Sequence, residues 1–495
     1  MRRLLQLGSA GLALAVVISG VALYYLDDAG ITPRSLGPYI ERRSDGHNAL
    51  VESVGLTARR WLVDADRGDP PLRAAAWSGR IGMQEASSRP SAAPPGLDVL
   101  VSDADGLRRA IGAAQPGQVI TLLPGRYRID GTVTVARPGR AGAPVTVRAE
   151  RPGSVQLEMN AAEGFRVSAP YWRFENLALR GVCQGGCDHA FHVVGDAHHF
   201  AAVNNLVLDF NAHFKINGEE GRYPDHGLLE SNTLRNDAIR ATASAVTLID
   251  LVGASHWVIR RNLISDFIKG EGDGISYGAF VKGGGSHNLL ERNVVLCEDR
   301  LRGVRGQRVG LSLGGGGTGK EFCRDRKCIT EQEDSILRAN LVASCSDDGI
   351  YLNAAARSKL IHNTLVDTGG ISVRFAASSA VVDGNLVDGI IRSRDSGILH
   401  LGENKYSSAA SLYLGSHPLR DLFRDPLDFD FRWRDPAPRR TVRGEPVPDL
   451  CGAAPSALPR YGAFDDFSGC LPASGREGQA GAARREDGVA YSADS

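Results

Sequence analysis

Residues 349–388 read GIYLNAAARSKLIHNTLVDTGGISVRFAASSAVVDGNLVD. Four short runs stand out, GIYLN, SKLIHN, GISVRF and SAVVDGN, each alternating apolar and polar positions. Alternation at a period of two marks a strand with one buried face. Two such strands per repeat cannot bury that face alone, so the repeat has to stack on neighbours like itself.

Working outward, the same asparagine-centred pattern recurs as FENLAL, VNNLVL, ESNTLR, RRNLIS, ERNVVL, RANLVA, IHNTLV and DGNLVD. The asparagines are Asn176, Asn205, Asn232, Asn262, Asn293, Asn340, Asn363 and Asn385, spaced by 29, 27, 30, 31, 47, 23 and 22 residues. A leucine-rich solenoid has a similar period, but the intervening residues here are not led by leucine. The reading is an all-β chain, a right-handed parallel β-helix, in which stacked asparagine amides form a buried ladder at the strand spacing of about 4.8 Å. These asparagines are therefore structural. The 47-residue interval holds one coil plus an insertion over about 314–334, and such insertions leave a solenoid as loops that often line a binding face. Inside it GGGGTGKE, Gly314 to Glu321, imitates a phosphate-binding loop. Glu321 occupies the place of the magnesium-binding hydroxyl, and no helix is evident after it, so nucleotide binding is set aside.

Glycine is abundant at 59 residues and aromatics are 6%, which suits tight turns and aliphatic strands. The 57 basic and 57 acidic residues balance, so no electrostatic case exists for nucleic acid, and a monomer is expected. Arg2 and Arg3 precede an apolar run from Leu4 to Leu26, long enough to cross a bilayer with the arginines inside. Residues 1–26 are read as a transmembrane signal anchor, with a cleaved signal peptide as the alternative. Residues 27–97 then form a juxtamembrane region and linker, with one helix near Asn48 to Asp66. The β-helix spans 98–471, and 472–495 are a disordered tail. The bulk of the chain is thus expected outside the cytoplasm, periplasmic or extracellular.

Eight cysteines suit an oxidising compartment. Cys183 with Cys187, Cys323 with Cys328, and Cys451 with Cys470 are close enough for local bridges. Cys297 and Cys345 remain, and stacking brings them together because they sit four and five residues after successive ladder asparagines. A zinc site of Cys297, Cys323, Cys328 and Cys345 is the rival reading.

Aligning HFKIN, VTLID, AFVKG, LSLGG, IYLNA and SVRFA places Asn217, Asp250, Lys282, Gly314, Asn353 and Arg374 in one outward column. Mixed carboxylate, ammonium, amide and guanidinium groups on a sheet suit a sugar-binding groove. Asn217, Asp250 and Lys282 are candidate substrate contacts.

The segments LRRAIGAAQPGQVITLLPGRY and GRAGAPVTVRAERPG, with DDGIYLNAA and IHNTLVDTGGISVRFA, resemble the chondroitinase B and alginate lyase family of right-handed β-helix polysaccharide lyases. The resemblance implies an acidic polysaccharide partner, lyase or C5-epimerase chemistry and a Ca2+ cofactor. By it Asp347 matches a metal-ligand acid, Asn353 the asparagine before the catalytic lysine, Asn363 and Thr364 a turn, and Arg374 the catalytic arginine. Ala354 stands where the lysine base belongs, Gly349 replaces a second acid, and Ala376 a glycine. Tyr351, beside Asn353, is the substitute base in this reading. Two alternatives stay open, a non-catalytic polysaccharide-binding or assembly module, and a glycoside hydrolase using Asp347 and Asp348.

Overall fold

The computed structural model describes residues 17–68, 77–84, 97–302, 304–315, 317–434, 438–442, 446–454 and 458–472. Three parallel sheets wind as one coil. A twelve-stranded sheet runs from Asp98–Val101 to Ile398–Leu401, an eleven-stranded sheet from Gly125–Asp130 to Lys405–Tyr406, and a ten-stranded sheet from Val133–Val135 to Ile390–Arg394. In each sheet a strand pairs with its counterparts one coil before and one coil after, as in Phe214↔Ile249 and Leu234↔Ile264. This is the expected parallel β-helix, about 43 Å long over the ten-stranded sheet at one strand spacing per coil.

The period-two pattern places its apolar set inside. Phe165, Phe191 and Phe214 stack on successive coils at 5.3 and 5.1 Å between ring centres, and all three are fully buried. Trp172 and Trp257 fill the same core, their indole N–H groups donating to Arg137 O at 2.6 Å and Pro224 O at 2.7 Å. The first coil is closed by helix Ala104–Gly112, capped by Asp103, with Leu107 and Ile111 facing the core. After the last coil the chain folds back. Phe423, Phe431, Phe464 and Phe467 cover Val294, Leu341, Val366 and Leu386 on the outside of the eleven-stranded sheet.

The ladder is present with one correction. From Asn205 to Asn385 each asparagine takes hydrogen bonds on Oδ1 from the backbone N and Nδ2 of the asparagine before it, or passes its own on, at 2.8–3.1 Å. Asn404 extends it by one more coil. Asn176 is outside it. Leu177 N, not Asn176 N, donates to Asn205 Oδ1, and Asn176 pairs with Asn204 at the preceding left-handed corner, φ 59° and 58°. Asparagine tolerates that corner well, so FENLAL imitates the pattern while sitting one residue out of register.

Four disulfides form as expected, with Cys297 and Cys345 at a Cα separation of 4.8 Å, and no described cysteine is free. The zinc alternative lapses, and the bonds fit an oxidising, extracytoplasmic setting.

In the N-terminal segment the helix expected near Asn48 to Asp66 is present, and a second one precedes it. Helices Pro33–Ser44 and Ala49–Arg67 pack on each other and on the coils. Arg34, 3% exposed, reaches Asp66 at 2.9 Å and Asp367 at 2.7 Å, and Arg67 reaches Glu298 and Asp367 at 3.3 and 3.1 Å. Part of the proline-marked stretch is tied down as well, since Gly82 N donates to Arg261 O and Gln84 N to Asn204 Oδ1. Among the described residues no helix is long and apolar enough to cross a membrane. The anchor expected over 1–26 is not supported there, and its residues 1–16, like 473–495 of the expected tail, lie outside the described residues.

Candidate functional site

The outer face of the ten-stranded sheet carries two polar columns. One reads His192, Lys215, Asp250, Phe280, Ser312 and Tyr351, and the next reads Asn217, Val252 and Lys282, then Asn353 and Arg374. Asp250 therefore does not share a column with Asn217 and Lys282, as the alignment had it, but pairs with Lys215. Strand Val246–Val252 runs two residues past Asp250. A slip of one residue would have turned the side chain inward and betrayed itself, whereas a slip of two keeps the face and leaves no trace in the pattern.

Asp250 is the centre of a tight cluster. It is buried, with Lys215 Nζ on Oδ2 at 2.5 Å and Lys282 Nζ 3.7 Å from Oδ1. Burial pushes its carboxyl up, but the two ammonium groups outweigh that and hold it below the usual range, ionised. Lys282 also lies 4.0 Å over the Phe280 ring. One coil before Lys215, His192 is pinned at both nitrogens, Nδ1 to Glu163 Oε1 and Nε2 to Asn217 Oδ1, each at 2.8 Å. His189, 5.2 Å away between ring centres, is different. Its Nδ1 is buried without a partner among the described residues, and burial, then His192 and Lys215, depress its pKa so that it stays neutral.

His189, His192, Lys215, Asn217 and Lys282 floor a cavity of about 880 Å³, and Asp250 acts on it through the two lysines it holds. One wall is the turn after strand Phe210–Asn217, including Tyr223, and the other is the insertion, which contributes Thr318, Phe322, Arg324 and Arg326. Phe322 is 64% exposed, a large apolar side chain held at a polar cavity. Arg324 chelates Asp225 with two 2.8 Å bonds and stacks 4.6 Å over Tyr223. Among its described residues the insertion has only a three-residue helical turn, Lys320–Phe322, which is too short to offer a phosphate a helix N-terminus.

The sequence-predicted residues fall into three places. Asn217 and Lys282 belong to the cavity floor, and Asp250 is buried against its two lysines. Tyr351 and Asn353, two coils beyond Lys282, meet Arg374 on the third, where Tyr351 Oη accepts from Asn353 Nδ2 at 3.2 Å and Arg374 Nη1 at 3.4 Å, and Arg374 is paired with Asp395. Asn353 points outward as expected but is buried there, because Gly315 covers it and its Nδ2 also donates to Gly315 O at 3.2 Å. Asp347 lies at the other end of that strand, taking a bond from Gln307 Nε2 at 3.0 Å, so it does not complete a site with Arg374. The pair offered for hydrolysis is poorly placed too, since Asp348 is 4% exposed. Burial and the charge of Asp348 raise the Asp347 carboxyl, while Arg392 and Arg34 act against the rise. Two carboxylates, one bonded by the Gln307 amide and the other facing Arg392 at 3.7 Å, do not make the six- to eight-oxygen cage calcium needs. No group of three or more acids, histidines or cysteines suited to a metal occurs among the described residues. The residues do not fit the calcium ion that the resemblance implied, and no step below is routed through it.

Lys215, His189, His192 and Tyr223 were missed by sequence reasoning. The signal for Lys215 was present, because it has the same outward parity as Asn217 in HFKIN, and correct register would have set it beside Asp250.

The chain is a parallel β-helix. No family profile matches it. Pectate lyase L of Dickeya chrysanthemi is 29% identical over 117 residues, 21% of this chain and 28% of that protein, and pectate lyase L of Dickeya dadantii (strain 3937) is 28% identical over 145 residues, 26% and 31%. The matched stretch thus spans less than a third of either relative. Among solved structures, pectate lyase Pel9A aligns with a TM-score of 0.44 at 15% identity, covering 72% of this chain and 90% of that one. Alginate lyase from Paenibacillus sp. str. FPU-7 aligns at 0.34 and 13%, covering 62% and 99%.

Proposed function

We propose that the chain acts on an acidic polysaccharide at the Lys215–Asp250–Lys282 cavity, by elimination across a uronate residue. One observation carries this reading: two ammonium groups and a neutral imidazole converge on a sugar-sized cavity that also presents aromatic faces. Removing the C5 proton of a uronate requires its carboxylate charge to be offset and a base to be positioned nearby. Lys215 and Lys282 supply the offset, with Asp250 fixing where both ammonium groups sit. His189 is the base. With Nδ1 buried, Nε2 is the nitrogen its ring presents to the cavity. The C5 proton passes to Nε2, the C5–H electron pair forms the C4–C5 double bond, and the C4–O bond breaks with its electron pair going to the oxygen, which takes a proton from water as the rest of the chain leaves. His192 cannot take that role, since both of its nitrogens are engaged. It orders Asn217 and Glu163 instead.

The test is to incubate the protein with a panel of polyuronates and neutral glycans and follow the absorbance of an unsaturated uronate product. Lys215→Met should lower turnover or affinity by about 10- to 100-fold, the range for a hydrogen bond to a charged group. Reducing-sugar release without that absorbance would mean hydrolysis, and affinity without turnover would mean a binding module. Activity confined to neutral glycans would overturn the reading of the cavity.

A further inference from the structure

We propose that the insertion 314–331 turns the groove into a chain-end pocket, so that the protein takes the terminal residues of an acidic glycan and does not grip the interior of a polymer. This rests on the reading of the cavity as a uronate site. Without the insertion, the outer face of the ten-stranded sheet would be a trough open along the helix axis, leading from Lys215 past Lys282 to Asn353 and Arg374.

The chain path closes it. Strand Gln307–Leu313 ends, and Gly314 adopts φ 69°, turning the backbone out of the coil. Gly315 then doubles back over the preceding coil. A Cβ on it would lie 3.1 Å from the Phe280 ring, 3.2 Å from Lys282 Cδ and 2.9 Å from Glu331 Oε2, so the backbone at Gly315 lies directly against these side chains. On its other side Gly315 O accepts from Asn353 Nδ2 at 3.2 Å. Main chain therefore crosses the trough between Lys282 and the Tyr351–Asn353–Arg374 cluster.

The barrier is tied down at both flanks. Glu331 N donates to Ala354 O at 2.7 Å, Gly284 N to Glu331 O at 2.8 Å, and Arg324 N to Gly283 O at 2.8 Å. Thr318 Oγ1 bonds Glu331 Oε2 at 2.6 Å, Arg324 holds Asp225, and Cys323–Cys328 closes the tip. The floor from His189 to Lys282 covers four coils, about 14 Å at three strand spacings, which accommodates a short oligosaccharide only. The cluster at Arg374 lies beyond the wall, outside the reach of a sugar in the cavity.

The experiment measures affinity of the intact protein for a length series of uronate oligosaccharides by calorimetry. Affinity should stop rising at about the tri- or tetrasaccharide, and polymer should titrate by its chain ends and not by its mass. In a variant with residues 315–330 replaced by two glycines, affinity should keep rising with length, and Arg374→Ala should weaken hexasaccharide binding several-fold there while changing it less than twofold in the parent. In the parent, affinity that climbs steadily through the octasaccharide, or equal binding of a cross-linked polymer without free ends, overturns the proposal while leaving the cavity a uronate site. Failure of every uronate oligosaccharide to bind removes the reading of the cavity itself, and the proposal with it.

Discussion

Asn262→Ala tests the physical basis of the fold. Asn262 is fully buried. Its Oδ1 accepts from Asn232 N at 2.9 Å and Asn232 Nδ2 at 3.0 Å, and its Nδ2 donates to Leu229 O at 2.9 Å and Asn293 Oδ1 at 3.0 Å. After truncation, Asn232 Nδ2 still donates to Ala202 O, and Asn293 Oδ1 still accepts from Asn262 N. The backbone N–H of Asn232 and its second amide hydrogen lose their partner in a dry core. At about 1–3 kcal/mol for each stranded group, the loss is about 2–6 kcal/mol. Asn404→Ala is the internal comparison. Asn404 terminates the ladder, accepts from Asn385 in the same way, and is half-exposed, so water can replace it at a cost of about 1 kcal/mol. Urea unfolding of both variants, compared at equal m-value, gives the two losses directly. A loss below about 1 kcal/mol for Asn262→Ala, or equal losses at the two sites, would show that the ladder is decorative and that apolar stacking alone specifies the coil.

Other outcomes follow from buried charge and protonation. His213 is fully buried, bonded to Asn236 Oδ1 at 3.2 Å, and burial lowers its pKa to about 3 from 6.5. The unfolded chain takes up that proton below pH 6.5 and the folded one does not, so stability should fall as pH drops from 6.5 toward 3, by up to about 5 kcal/mol. Urea midpoints at pH 7 and pH 4 should converge in His213→Gln, and an unchanged slope would refute the assignment. Asp367→Ala leaves Arg34, Arg67 and Arg420 without the carboxylate they share at 2.7, 3.1 and 3.8 Å. A loss of about 3–5 kcal/mol is expected, with faster amide exchange over 33–67, and unchanged exchange there would mean that the two helices dock without this cluster. Asp250→Asn removes the anion that positions both lysines, so uronate affinity should change with little effect on the urea midpoint. An unaltered binding isotherm would place the sugar elsewhere.

The asparagine and period-two pattern carried the architecture because each coil repeats the same local solution, and a repeated solution is visible in one dimension. The Cys297–Cys345 bond was legible for the same reason. Asn176 misled because asparagine also suits the left-handed corner one residue before the ladder. Asp250 misled because strand parity cannot detect a two-residue slip. The helices at 33–67 show amphipathic character in the sequence, but nothing in it says that Arg34 and Arg67 leave water to meet Asp367. Sequence by itself determined that the chain coils, which face of each strand is buried, and where the coil is interrupted. Only tertiary structure decided which outward residues meet, since Lys215, Asp250 and Lys282 lie 35 and 32 residues apart and converge through interstrand register. It likewise decided that the interruption folds back over the sheet, because the course of a loop is set by long-range contacts, Arg324 with Asp225 and Gly315 with Asn353, that no local propensity encodes.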